Sequence, residues 1–430
     1  MFFHVAEGAA RQWRGAKVNL SEHRVGPTAF LFRANISCSI SHFTFLALAR
    51  STNYQFYKSA RNTSLPTMEP ELHHQPIRYH EIDLLRFIAA MSVVLFHFTF
   101  RGYYADHASP VAYAGIEAVS KYGYLGVELF FIISGYVVLM SAQGKTLSQF
   151  FISRVKRLYP AYWVACTLTF VVVRLWGPTT SSPFWSPMMA APVKRYLASM
   201  TMLQGFCGIR DLDGVYWTLT YEISFYFLIS LLIAFGWIKK HLVPFLALWL
   251  TYCALIGPVE TPIPFVILLL PSQAPFFVAG MVLYLLQTKQ AAAWKLYLLL
   301  LSSYGLCLRS ARAGMKLTVL YYHQPFSLPV VCAVVTGCFV VFLMIVNSKR
   351  RLGPAKWLTW AGALTYPVYL LHHNMGYVVL QQLGSKVDKY FLLASMLAMV
   401  LLLSYLMHVW IERRYISMLG KNLQQLLEKA

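Results

Sequence analysis

Long apolar runs separated by short polar segments set the pattern of this chain. Such runs lie at 82–100, 124–141, 161–176, 214–236, 241–257, 263–286, 294–308, 327–347, 358–383 and 390–411. Most are long enough to span ~30 Å of hydrocarbon as helices, and 161–176 and 294–308 are the shortest. The pattern predicts an all-α fold, a polytopic transmembrane helix bundle of about ten helices.

The first run, IDLLRFIAAMSVVLFHF, carries a cation and an imidazole, Arg86 and His97. Eleven helical steps separate them, a rise of ~16 Å with a turn of only roughly 20° about the axis, so they share a face. Two readings follow. Ionisable groups within a membrane are costly and usually line a cavity or pathway; alternatively, each side chain reaches for the nearest headgroup layer.

Composition agrees with a membrane protein. Of 430 residues, 58% are hydrophobic and 12% charged, with a mean hydropathy of +0.53, which excludes a soluble globular enzyme. The net charge of +21 raises the question of nucleic acid, but Lys and Arg cluster between apolar runs instead of forming one basic face. No nucleic-acid partner is expected. Arg154, Lys156, Arg157, Lys239, Lys240, Lys349, Arg350, Arg351, Arg413 and Arg414 fall on one side of the scheme. The positive-inside rule makes that side cytoplasmic, with both termini inside. Arg309, Arg312 and Lys316 contradict it, falling in a loop expected outside. Seven cysteines without a CxxC pair, Cys38 to Cys338, imply neither a disulfide framework nor a metal site.

Residues 1–77 differ from the rest. They hold scattered cations and one apolar run, ANISCSISHFTFLALA, too short to read as a span. Met68 opens a stretch leading straight into the first helix, and a start near Met68 is one explanation of the preceding tail. Residues 78–415 form the membrane domain and 416–430 a short cytoplasmic tail.

Polar residues recur at further places. The second span, YGYLGVELFFIISGYVVLM, is broken by Gly123, Gly126, Glu128, Ser134 and Gly135; glycines there permit either close helix packing or a broken helix beside a polar cavity. Arg154 and Arg157, three apart in FFISRVKRLYPAYW, face one way on a helix, and paired guanidinium groups suit phosphate. They also suit a topology signal or a lipid-headgroup anchor. Glu222 lies in the aromatic run GVYWTLTYEISFYF behind Trp217. With a span starting near Gly214, it lies about two turns inside the outer boundary and close in depth to His97. In ALTYPVYLLHHNM, Pro367 can kink the helix and one of two histidines faces the interior, with His372 chosen over His373.

These stretches, in this order, resemble the membrane-bound acyltransferase family 3, the multi-pass O-acyltransferases of bacterial surface sugars and some smaller acceptors. The likeness covers roughly 78–415: LLRFIAAMSVVLFH, GYLGVELFFIISGYV, the arginine pair before Tyr159 and Pro160, WTLTYEISFYF and YPVYLLH. Two departures stand out, the missing proline near IERRYI and Asp83 ahead of Arg86.

The resemblance implies acyl-CoA as co-substrate, acetyl being the commonest group, with transfer to a carbohydrate hydroxyl in a bacterial inner membrane. Arg86, Arg154, Arg157 and Tyr159 would then bind the donor, and Asp83, Glu128, Ser134, Trp217 and His372 would line the cavity. His97 is the expected general base, since imidazole titrates near neutrality, with Glu222 to orient it. Direct transfer in a ternary complex is preferred to an acyl-enzyme. The acceptor would meet the loops 101–123 and 177–213, whose Tyr103, Tyr104, Trp176 and Trp185 suit either sugar stacking or an interfacial belt. A periplasmic partner protein could complete the transfer. The rival class is a transporter or flippase, which also needs a polar face within a bundle.

Overall fold

The computed structural model describes residues 79–415 apart from 259–263, 349–352 and 354. The tail expected at 1–77, the proposed start at Met68, the basic residues Lys349 to Arg351 and the segment after 415 lie outside the described residues.

Among the described residues the architecture is entirely helical. Helix α1, His80–Phe96, runs on through a π-turn, His97–Arg101, and a final turn, Gly102–Tyr104. Turns at Glu117–Ser120 and Lys121–Leu125 lead into α2, Gly126–Ala142, and α3 is Leu147–Trp176. A short α4, Val193–Ser199, precedes α5, Trp217–Ala234, and α6, Leu242–Ile256. Then come α7, Ala274–Thr288, α8, Ala293–Tyr322, and α9, Leu328–Asn347. The ninth expected run is broken at His372 into α10, Lys356–Leu371, and α11, His373–Leu383; α12 is Lys389–Met407, ending in a second π-turn, His408–Glu412.

Seven helical stretches are long and apolar enough to cross a membrane by themselves, α7 reaching that length together with the preceding helical turns, Pro264–Leu269, as Val266–Thr288. The other three expected runs are helical too. Helix α6 has only 15 residues, α8 carries cations along its length, and α10–α11 is interrupted. This is a multi-pass membrane protein.

Small residues set the closest packing. A Cβ at Gly135 of α2 would lie 2.0 Å from the Phe277 carbonyl oxygen, and one at Gly280 of α7 would lie 1.9 Å from that of Ile132. Helices α2 and α7 therefore touch backbone to backbone, as small residues allow where no hydrophobic drive separates lipid from protein. Gly123 and Gly126 bring the start of α2 equally close to Ser92 and Ala89 of α1. The second span's glycines thus serve helix packing, and α2 itself is unbroken. Helix α1 is held between α2 and α10, so its polar face points into the bundle.

Two boundaries differ from expectation. Helix α3 begins fourteen residues before the expected run at 161, because the capping box at Thr146 and Gln149 starts a helix there irrespective of hydropathy. Helix α8 continues through Arg309, Arg312 and Lys316, which are therefore helical and in no loop. Arg309 donates to the carbonyls of Cys253 at 2.7 Å and Ala254 at 3.0 Å in the last turn of α6, where a cation suits the helix C-terminus.

Candidate active site

The basic end of the bundle opens into a cavity of about 440 Å³. Its walls come from α1, α2, α3, α5 and α10. Arg86, Arg154, Lys156 and Arg157 line it with one carboxylate, Glu222, and with Ser134, Ser153, Tyr226 and Tyr366 among the polar groups. Four cations to one anion make its lining electropositive, which suits an anionic ligand. Arg154 lies over the rings of Phe150 and Tyr226, each at 5.5 Å, and Arg157 over Tyr366 at 5.5 Å; such stacking holds a guanidinium while leaving its donors available. Glu412 sits 4.0 Å from Arg157 and is itself bound to His408 at 2.5 Å. Arg86 lies in the field of two carboxylates, Asp83 and Glu222, and of the Arg157 guanidinium.

Glu222 accepts a hydrogen bond from Ser134 at 2.9 Å. It therefore belongs to the arginine pocket, at the depth of Arg86, and does not orient His97. The expected depth fails for a tertiary reason. After α3 the chain turns back along that helix, and Tyr159, Tyr162 and Trp163 donate to the carbonyls of Thr201, Ser199 and Met200 at 2.8–2.9 Å. Helix α5 consequently starts well inside the bundle instead of at its edge. The same contact takes Tyr159 out of the pocket, since its hydroxyl is spent on the Thr201 carbonyl.

Three more expected cavity residues face elsewhere. Asp83 is wedged against Gly362 of α10, where a Cβ would meet its Oδ1 at 2.3 Å. Glu128 lies on the side of α2 towards Cys307 and Cys338, and Trp217 packs edge-on against Tyr221. None of the three lines the pocket. Trp176 and Trp185 are exposed, and Tyr103 stands edge-on to Tyr104.

Beyond the pocket's inner wall of Phe130, Thr218 and Tyr369 lies a buried histidine layer. His97, His372 and His373 are 4%, 0% and 0% exposed, dry enough that every ring nitrogen needs an accountable partner. His97 reaches it as expected, three turns above Arg86 on α1. The π-turn that starts at His97 brings Arg101 to 3.4 Å from its Nε2; such wide turns re-aim side chains, often at functional sites. Arg101 pairs with Asp106 at 2.8 Å. His372, at the break between α10 and α11, places Nε2 3.1 Å from His97 Nδ1. Tyr369 ties the layer to the pocket, its hydroxyl contacting Thr218 Oγ1 at 2.9 Å and the Val215 carbonyl at 3.1 Å.

Asp213, Asn374 and Arg101 had no place in the expected site, and His373, set second to His372, is buried together with it. The HHN tripeptide and the DLDG segment were visible, but nothing along the chain signals that they meet. Among the described residues no group of His, Cys, Asp and Glu has a metal-ligand arrangement.

A profile of the acyltransferase domain matches residues 79–412, which is the whole of the bundle just described. The chain belongs to acyltransferase family 3. Two curated relatives are similar over part of their length. Nodulation protein 10 of Rhizobium leguminosarum bv. viciae is 25% identical over 39% of this chain and 47% of its own. The acyltransferase MdmB of Streptomyces mycarofaciens is 26% identical over 46% of this chain and 49% of its own. The chain thus spans about half the length of the curated relatives it matches. No solved structure matches it. In family terms, the pocket and histidine layer occupy the interior of the acyltransferase domain.

Proposed function

We propose that this protein is an integral-membrane O-acyltransferase that moves an acyl group, acetyl foremost, from acyl-CoA to a hydroxyl of an exported or cell-surface carbohydrate. The observation that carries this reading is the pocket of four cations and one carboxylate directly beneath three buried imidazoles. Phosphates of the nucleotide would meet Arg86, Arg154 and Arg157 through charge-assisted hydrogen bonds. The pantetheine arm would pass Tyr369 and Phe130, and the thioester would meet the layer around His97, ~16 Å from Arg86 along α1. That layer offers proton acceptors in a water-excluded site, where an acyl-transfer step needs them.

Membership of the family supports acyl transfer over the transporter alternative. The positive-inside rule supports a cytoplasmic arginine end in a bacterial inner membrane, with both termini on that side. The end of α12 joins the start of α3 through Glu412 and Arg157, consistent with one basic face. Acceptor and any periplasmic partner would then approach the opposite end.

Release of CoA thiol from acetyl-CoA by membranes carrying wild type or His97→Ala, with ester-linked acetate measured on surface polysaccharide, tests the reading. Loss of both signals in the variant at matched expression is expected. Unchanged signals would show that transfer does not depend on the histidine layer at His97, and silence from the wild type would refute acetyl-CoA as donor.

A further inference from the structure

Hydrogen-bond partners separate the three imidazoles. His97 Nδ1 lies 2.9 Å from the Val93 carbonyl and 3.1 Å from His372 Nε2, so it carries the hydrogen, and its Nε2 lone pair faces Arg101. His372 Nδ1 faces the carbonyls of Val368 and Tyr369 at 3.2 and 2.9 Å, leaving Nε2 to accept from His97. Both rings have both nitrogens engaged.

His373 differs. Its Nδ1 faces two acceptors, Asn374 Oδ1 at 2.8 Å and Asp213 Oδ1 at 3.2 Å. The amide orientation is fixed because Asn374 Nδ2 donates to the Leu212 carbonyl at 3.0 Å. The hydrogen therefore sits on Nδ1 and the lone pair on Nε2, and that buried atom has no hydrogen-bond partner among the described residues.

Asp213 is held as firmly. Its Oδ1 accepts from the Val215 amide at 3.1 Å and its Oδ2 from the Asn374 amide at 3.0 Å. The His373 ring lies edge-on to His97, centroids 4.5 Å apart, with Tyr377 at 4.6 Å on another side. It also presses on Gly214, where a Cβ would come within 2.4 Å of its Cε1. A histidine kept only for packing would have both nitrogens satisfied. One nitrogen on a carboxylate and the other empty is the arrangement of an oriented base.

Resting on the acyltransferase reading, we infer that the Asp213–His373 pair takes the proton of the acceptor hydroxyl. The hydroxyl oxygen bonds to the thioester carbonyl carbon as its proton passes to His373 Nε2. The imidazolium so formed faces the Asp213 carboxylate. The carbon–sulfur bond then breaks with its electron pair on sulfur, and the proton moves from Nε2 to the thiolate. Ester and CoA thiol result, and nothing is oxidised or reduced. His97 forms the wall against which the ring is set.

The test uses membranes carrying the full chain, acetyl-CoA labelled in the acetyl group, and hydroxylamine-labile label in the extracted glycan, with CoA affinity and melting temperature alongside. His373→Asn keeps a donor for Asp213 and removes the Nε2 lone pair. It should lose about 10²–10⁴-fold in transfer at unchanged CoA affinity. Asp213→Asn, which removes the carboxylate charge facing the imidazolium and sets an NH2 group against one of the Val215 and Asn374 amides, should lose at least about tenfold. Transfer by His373→Asn within about threefold of wild type overturns the inference. If that variant fails to accumulate, His373→Gln, which places an amide near the Nε2 position without a base, decides by the same criterion. Wild-type membranes that neither release thiol nor label ester refute the acyltransferase reading itself, whereas active wild type with active His373→Asn refutes only the dyad.

Discussion

Replacing Arg86 with Gln removes one of the four cations that line the pocket. Arg86 lines the pocket beside Ser134, Glu222, Arg154 and Arg157, in the field of the Asp83 and Glu222 carboxylates. A hydrogen bond to a charged group contributes ~1.5–3 kcal/mol, which converts to ~10–150-fold in affinity at ~1.4 kcal/mol per decade. Two effects move the expectation to the lower part of that range. The pocket is open to salt, which screens the phosphate interaction, and Glu222 loses a compensating cation, which alters the field on the remaining arginines. We expect Arg86→Gln to weaken CoA binding to the detergent-solubilised full chain by ~10–30-fold at physiological salt. Isothermal titration at two salt concentrations measures it, and the variant should show the shallower salt dependence. Affinity within threefold of wild type, at an unchanged melting temperature, would refute the placement of donor phosphates in this pocket.

Arg157→Lys should also weaken CoA, by roughly tenfold, because an ammonium keeps the charge but loses both the stack on Tyr366 and the bidentate fork; titration against Arg157→Ala separates the two losses. Tyr159→Phe, by contrast, should leave CoA affinity unchanged and lower stability by ~0.5–1.5 kcal/mol through the lost bond to Thr201, read from thermal melting; a raised Kd would restore Tyr159 to the donor site. Gly280→Val should cost at least ~1–3 kcal/mol by overpacking, since its Cβ would meet the Ile132 carbonyl at 1.9 Å. Wild-type melting for that variant would contradict the contact between α2 and α7.

What the sequence determined by itself was whatever repeats along one helix. Hydropathy marked the helical runs, and the period of 3.6 placed Arg86 and His97 on one face three turns apart. The spacing of Arg154 and Arg157 predicted that both would face one way, and both line the pocket. These properties are local, because a helix fixes the direction and depth of its own side chains. What only the tertiary structure decided was which faces meet and at what depth. A span boundary near Gly214 puts Glu222 at the depth of His97, but the chain between α3 and α5 folds back into the bundle, and the carboxylate meets Ser134 instead. Asp213 and His373 are 160 residues apart in sequence and touch only because the segment before α5 is packed against the break between α10 and α11. Hydropathy cannot register such an encounter, since both segments would read the same had they packed elsewhere. Their partnership is set by backbone amides at Val215 and Asn374 and by the space that Gly214 leaves for an imidazole.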